Sequence, residues 1–248
     1  MQSSFKYIFL NHIAKAKLIL TLTVFFPLIV NIFWFVISLH FPEEIAVLQA
    51  NPWQAVCLLL VENYKLLYPI FSMLICFKLC EADEEEKTAT YCSKAIILIF
   101  CLLIAALLGL AFLLIGGKLC SVIYPWMHFQ DYNVTSLIIP FFTKLFFYSL
   151  SIIAIQLLLC TYTKNVMVAL GVPLALLVMG ASMVYYPCSY AFPYSYSFQA
   201  ALDFENGDGF LIDKIFCWNL WYSFIFFALR LGLFYIQLKK QNSHSTFR

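Results

Sequence analysis

The sequence predicts an all-α integral membrane protein with six transmembrane helices and an interfacial amphipathic helix at its N-terminus. Hydrophobic residues make up 63% of the chain and charged residues only 11%, whereas a soluble domain is about one quarter charged. The apolar residues also gather into six runs close to the length that crosses a bilayer as a helix, about 20 residues. Because backbone N–H and C=O groups cannot stay unpaired in lipid, each run is predicted to be helical.

The six predicted spans leave little of the chain between them. A transmembrane barrel would show strands of alternating apolar and polar residues, and no such alternation is visible. We therefore expect one transmembrane domain over residues 1–248, with no soluble catalytic or nucleotide-binding domain inserted between the spans. In chain order, the predicted spans are Leu18–Phe41, Val56–Cys80, Ala95–Ile115, Val134–Cys160, Val166–Pro187 and Ile215–Leu238.

Basic residues are distributed unevenly between the two predicted sides of the membrane. If the N-terminus is cytoplasmic, the outer segments hold only Lys118 and Lys214. Positive residues favour the cytoplasmic side, so the asymmetry predicts that both termini are cytoplasmic. The inner segments then hold Lys6, Lys15, Lys17, Lys78, Lys87, Lys94, Lys164, Lys239, Lys240 and Arg248.

Residues 1–17 have an amphipathic pattern of their own. The apolar residues recur at helical spacing, and the lysines lie off that stripe, which predicts a short helix in the inner interface. The alternative is a helical extension of the first span, with lysines that reach back to the headgroups. The stripe consists of Phe5, Ile8, Phe9, His12, Ile13 and Ala16.

Two segments between the predicted spans have unusual compositions. Residues 81–94 are the most polar stretch, and they are acidic on the side where basic residues are expected. Residues 188–214 are rich in Tyr, Phe, Pro and Ser and then become acidic. Because tyrosine favours the membrane interface, a re-entrant or surface-lying cap is expected there. The candidate residues of the inner loop are Glu81, Asp83, Glu84, Glu85, Glu86 and Lys87.

Ionisable and polar residues inside the spans are candidate functional groups. Glu62 and Lys65 are three residues apart, so they share a helix face and are predicted to pair. Such a pair either lies hydrated at the outer interface or lines a translocation path, together with Lys144. The other interpretation of Lys144 is a side chain that reaches the outer headgroups. Gln156 is expected to hydrogen-bond between helices.

Most catalytic and binding chemistries have no support in the sequence. Gly116-Gly117-Lys118 lacks the rest of a phosphate-binding loop, and no nucleophile or metalloprotease motif is present, so we expect no enzymatic activity and no cofactor. The nine cysteines include no Cys-x-x-Cys pair and the four histidines are scattered, so no metal site is predicted. The dispersed basic residues predict no nucleic-acid binding. Whether Cys120 and Cys188 form a disulfide is left open.

Several of these features together resemble the ABC-2 type permease subunits of bacterial ABC transporters, and among them the lantibiotic-immunity and bacitracin-type permeases. The matching residues are the stretch from Pro69 to Glu81, then Thr88, then Ser93-Lys94 at the start of span three. The aromatic and proline-rich segment from Tyr186 to Tyr194, before the last span, also matches. The chain departs from the family in its inner loop, where Thr88-Ala-Thr-Tyr-Cys replaces an aromatic-Lys pair and a proline.

The resemblance implies a permease subunit that exports an amphiphilic peptide, an antibiotic or a lipid-like molecule. Its partners would be a cytoplasmic ABC ATPase, a second permease (the same chain or a homologue) and the lipid of a bacterial inner membrane. Residues 81–94 would form the coupling loop to the ATPase. The alternative is an ATPase-independent secondary transporter or channel that uses Glu62 and Lys65.

Overall fold

The computed structural model describes residues 17–40, 52–81, 88–127, 135–163, 165–206, 217–225, 227–229 and 232. All regular structure in these ranges is helical, which confirms the predicted all-α class. The five long helices are α1 (Lys17–His40), α2 (Pro52–Glu81), α3 (Thr88–Ile123), α4 (Thr135–Tyr162) and α5 (Val166–Met183). A 3-10 turn, Pro125–Met127, follows α3.

Two short 3-10 turns and a ten-residue helix follow α5. The turns are Ser189–Ala191 and Pro193–Ser195, and the helix is α6 (Tyr196–Glu205). We call residues 189–205 the inserted segment. Residues 217–225 and 227–229 are also helical.

Four helices are long and apolar enough to cross a membrane, namely Lys17–Ile37, Cys57–Cys80, Ser93–Ile123 and Ile138–Cys160. They correspond to the first four predicted spans. The fifth and sixth predicted spans coincide with shorter apolar stretches, Met167–Met183 and Cys217–Leu229. The predicted N-terminal amphipathic helix lies outside the described residues.

Helix α3 is longer at both ends than its predicted span, Ala95–Ile115. The residues from Thr88 to Lys94, which we expected in a loop, form its first turns. At the other end, the predicted span stops at Ile115, whereas the helix continues through Gly116 and Gly117 to Ile123. Indole rings pack on these glycines: a Cβ at Gly117 would lie 1.7 Å from the Trp53 ring.

Helices α1, α2, α3 and α4 share one core, and several buried polar groups form hydrogen bonds between them. The Asn31 side chain of α1 donates to the Tyr64 hydroxyl of α2 at 3.1 Å. The Tyr68 hydroxyl donates to the Leu102 carbonyl of α3 at 2.8 Å. Gly109 makes room for the Tyr64 ring, since a Cβ there would lie 2.6 Å from its hydroxyl oxygen. These bonds remove the main cost of polar groups at membrane depth.

A proline in α5 explains one further bond between helices. Pro173 has no N–H, so the carbonyl four residues earlier, that of Ala169, loses its partner within the helix. Gln156 of α4 donates its Nε2 to that carbonyl at 2.7 Å. The predicted role of Gln156 in hydrogen bonding between helices is therefore confirmed.

The inserted segment packs along α4. Tyr196 lies against Tyr148, with ring centroids 5.5 Å apart, and Phe204 lies against Phe141 at 5.8 Å. Because the later residue of the segment meets the earlier residue of α4, α6 runs antiparallel to α4. The inserted segment also packs closely on α5 at Gly180. A glycine is required there, since a Cβ would lie 2.3 Å from the carbonyl oxygen of Tyr194. Six residues of α6 are buried: Tyr196, Ser197, Phe198, Ala200, Ala201 and Phe204.

Candidate functional site

A buried ion pair joins α4 to the inserted segment. Lys144 Nζ lies 2.6 Å from Asp203 Oδ2, and the Lys144 residue is only 2% exposed. The other carboxylate oxygen, Oδ1, accepts a hydrogen bond from Gln199 Nε2 at 3.2 Å. Helical spacing produces the second contact, because Gln199 precedes Asp203 by four residues on α6.

Lys144 therefore does not reach the headgroups, and this interpretation from the sequence is wrong. Its ammonium turns inward because a carboxylate 59 residues later in the chain is available there. An ion pair with little exposure interacts more strongly than one in water, since the surrounding dielectric is low. The pair thus fixes the inserted segment to one level of α4. Asp203 was noted in the sequence only as part of an acidic outer segment.

Glu62 and Lys65 form the ion pair that the sequence predicts. The Glu62 side chain is 43% exposed and that of Lys65 is 24% exposed. Glu62 shares its face of α2 with Leu66, which is also exposed. The pair therefore lies on the surface of the described helices, whereas Lys144 is buried. Both interpretations of the Glu62–Lys65 pair from the sequence stay predictions.

The acidic loop is described only at its edges. Glu81 is the last residue of α2, and α3 begins at Thr88. The other candidate residues fall within 82–87, outside the described residues, so their role in coupling stays a prediction. The flanking helices are long, with 30 residues in α2 and 36 in α3.

A group of three thiols lies near that same end of α2. The Sγ atoms of Cys76, Cys80 and Cys160 all lie within 4.8 Å of one another. Cys76 and Cys80 share a face of α2 because they are four residues apart. Cys160 comes from the last turns of α4, which packs against α2. We call these three residues the thiol cluster.

Sequence reasoning missed the thiol cluster because it considered only Cys-x-x-Cys spacing. On a helix, the informative spacing is i, i+4, which places two sulfur atoms on one face. Cys76 and Cys80 have this spacing, and Cys160 is predicted at the same inner end of another span. By contrast, the open question about Cys120 and Cys188 is answered by the structure, in which both are free thiols.

Two buried oxygens without hydrogen-bond partners border the thiol cluster. Gln156 Nε2 lies 3.5 Å from the Cys160 sulfur, and its Oε1 finds no partner in the described part of the chain. The same holds for the Tyr194 hydroxyl, whose residue is 1% exposed. Burial raises the pKa of that hydroxyl above its ordinary range, and the nearby Cys76 and Cys160 raise it further. Tyr194 therefore stays protonated beside the thiols.

Lys94, at the start of α3, completes the surroundings of the thiol cluster. The residue is 5% exposed, and its ammonium interacts electrostatically with Cys80 and Cys160. Three helices thus contribute to the cluster and its surroundings: α2 and α4 supply the sulfur atoms and α3 supplies the lysine.

No protein-family model, curated protein or solved structure significantly matches this chain. The class of the protein therefore rests on its own helices. In the described part of the chain, four long apolar helices indicate a membrane-embedded helical protein.

Proposed function

We propose that this chain is the transmembrane permease subunit of a transporter driven by a separate ATPase. The observation that supports the proposal best is the inserted segment between the fifth and sixth apolar stretches, held to α4 by the buried Lys144–Asp203 pair. Buried charges at membrane depth are costly and usually serve a function. The segment also lies where the resemblance to ABC-2 permeases places a segment before the last span.

The finer architecture belongs to the same proposal. Met167–Met183 and Cys217–Leu229 would be the cores of the fifth and sixth spans. Residues 1–17 would lie along the inner surface, with both termini in the cytoplasm of a bacterial cell. Two permeases, either identical chains or homologues, would form the pathway. The exported molecule would be an amphiphilic peptide, an antibiotic or a lipid-like compound.

The route of coupling follows from α2. This helix ends at Glu81, beside the acidic loop, and its length of 30 residues corresponds to about 45 Å. It also packs against the inserted segment. ATP-driven movement of the loop would therefore shift the inserted segment through α2, as in rigid-body rocking of transporter halves. Acidic loop residues would bind basic residues of the ATPase.

The test is affinity purification of the tagged chain in mild detergents, followed by mass spectrometry. We expect a stoichiometric soluble protein with a phosphate-binding loop. Replacing Glu84, Glu85 and Glu86 together by Gln should remove that protein from the complex and abolish stimulation of its ATPase activity. The matched control is Glu62→Gln, which neutralises an acid on the same chain outside the loop.

Two outcomes would contradict the proposal. One is recovery of the chain alone in several detergents, together with transport in liposomes that lack any ATPase. The other is an ATPase that remains bound and fully stimulated when the three loop glutamates are neutralised, which would remove the coupling role of the loop. Loss of transport in Glu62→Gln alone would instead favour the ATPase-independent transporter.

A further inference from the structure

We propose that Cys76, Cys80 and Cys160 form a binding site for a soft divalent cation of the zinc and cadmium class. The inference rests on the thiol cluster and its surroundings, and it does not depend on the proposed transport function. Thiolates are preferred ligands of such cations, and two or more of them from different helices give a site its affinity. The sequence alone predicted no metal site.

The sulfur atoms are close to the positions that a bound ion requires. Zinc–sulfur bonds are about 2.3 Å long, so tetrahedral ligands lie about 3.8 Å apart. The three Sγ atoms already lie within 4.8 Å of one another. Rotations about the Cα–Cβ bonds close the remaining distance of about 1 Å at most, without movement of α2 relative to α4. The longer Cd–S bonds would need a smaller adjustment.

The charges of the pocket also match a divalent ion. Binding converts three thiols and M²⁺ into M(SR)₃⁻ and releases three protons, so the complex carries one negative charge. Lys94 interacts electrostatically with Cys80 and Cys160, and its positive charge opposes the negative charge of the complex. This matters because a net charge buried between helices is strongly unfavourable. If the cysteines did not bind as thiolates, the positive charge of the bound ion would repel that of Lys94.

A buried oxygen next to the cluster is a candidate for the fourth ligand. Zinc is usually four-coordinate, so three sulfurs leave one position for an oxygen or for a bound water. Gln156 Oε1 belongs to the amide whose Nε2 lies 3.5 Å from the Cys160 sulfur, and it has no hydrogen-bond partner among the described residues. Buried polar atoms normally have partners, and a coordinated ion or its water would give this oxygen one. Three thiols that merely pack as apolar groups would leave it unexplained.

The predicted topology favours metal binding over disulfide formation. The positive-inside distribution places Cys80, Cys160 and Lys94 near the cytoplasmic ends of their helices. Cytoplasmic thiols are kept reduced, so these cysteines would be available as ligands.

The direct test is a titration of the purified full-length chain in detergent with Cd(II), under anaerobic conditions after removal of the reductant. We expect one equivalent to bind, with a thiolate-to-cadmium charge-transfer band and release of about three protons. Cys76→Ala, Cys80→Ala and Cys160→Ala should each weaken binding by more than about 100-fold, which exceeds the usual loss when a residue that only hydrogen-bonds to a ligand is replaced. The matched controls are Cys57→Ala on α2 and Cys101→Ala on α3, which remove buried thiols away from the cluster.

A second measurement uses the unmodified chain, so it does not depend on the folding of variants. Cd(II) should protect Cys80 and Cys160 from a maleimide, as mapped by mass spectrometry, whereas the exposed Cys188 and Cys217 should react with or without the ion. The proposal is overturned if Cd(II) gives no protection, or if the control variants lose as much affinity as the cluster variants. It is also overturned if anaerobic protein contains a disulfide between two cluster cysteines.

Discussion

Neutralising Asp203 is the sharpest test of how the inserted segment is held. Its partner, Lys144, is 2% exposed, and the Asp203 side chain is 15% exposed. Removing one member of a buried ion pair costs about 3–5 kcal/mol, because the other charge stays in a medium that solvates it poorly. Asp203→Asn keeps an oxygen for the hydrogen bond from Gln199, so we expect the lower end of that range, about 3 kcal/mol.

Replacing the lysine instead of the aspartate should lower the stability by less. In Lys144→Met, the remaining carboxylate is less buried than the lysine was and still accepts the bond from Gln199, so we expect a loss of about 2 kcal/mol. In the double variant, neither charge of the pair is left buried. Its loss of unfolding free energy should therefore be smaller than the sum of the two single losses by about 2 kcal/mol or more. Coupling of this size is typical of groups in direct contact.

The assay is equilibrium unfolding of detergent-purified protein, with the four proteins of the cycle measured under identical conditions. The exposed pair provides the control: Glu62→Gln and Lys65→Met should each change stability by less than about 1 kcal/mol, as for other exposed ion pairs. Losses at the buried pair that are additive within about 0.5 kcal/mol would refute the reasoning. So would equal losses at the buried and the exposed pair.

The remaining predictions concern glycine and proline positions in α5, and each is checked by unfolding in the same detergent. Gly180→Ala should destabilise by about 1–3 kcal/mol, because its Cβ would lie 2.3 Å from the Tyr194 carbonyl oxygen. Gly171→Ala, with nothing within 4 Å of the new Cβ, should be neutral or stabilising by up to about 1 kcal/mol. An equal loss at both glycines would contradict close packing of the inserted segment. Gln156→Leu should lower the free energy of unfolding by about 1–2 kcal/mol. The loss should be smaller in a Pro173→Ala background, because an alanine at this position supplies the N–H that the Ala169 carbonyl lacks. An equal loss in both backgrounds would disprove the role of the bond between Gln156 and Ala169.

The helical membrane class could be predicted because it depends on composition and run length alone. The ends of α3 could not, since they depend on contacts between helices. The predicted span stopped at Ile115, but in the structure the helix continues through Gly116 and Gly117, where Trp34 and Trp53 approach it. The two indole rings are buried there, which favours helix at residues with low helix propensity. A single sequence shows the glycines, but it does not show which aromatic rings pack against them.

The candidate site shows the same limit. Glu62 and Lys65 could be paired from the sequence because helical periodicity alone brings them together. Lys144 could not be paired with Asp203, because the contact depends on a segment that returns into the bundle 59 residues later. The thiol cluster is intermediate: the i, i+4 spacing of two cysteines was visible, and only the packing of α2 against α4 brings in the third.

One row of side chains along α4 connects these separate observations. The row consists of Lys144, Tyr148, Ile152, Gln156 and Cys160, spaced by four residues. Consecutive members are neighbours on the helix surface, and the row winds about 160° around the helix from its first member to its last. Lys144 and Tyr148 meet the inserted segment, Ile152 packs in the same cluster as Tyr194, and Gln156 bonds to α5. A shift of the inserted segment along α4 would break the ion pair, and it would also displace Tyr194, which packs with Ile152. Breaking the Lys144–Asp203 pair should therefore change cation binding at the thiol cluster through α4, although about 24 Å of helix separates Lys144 from Cys160.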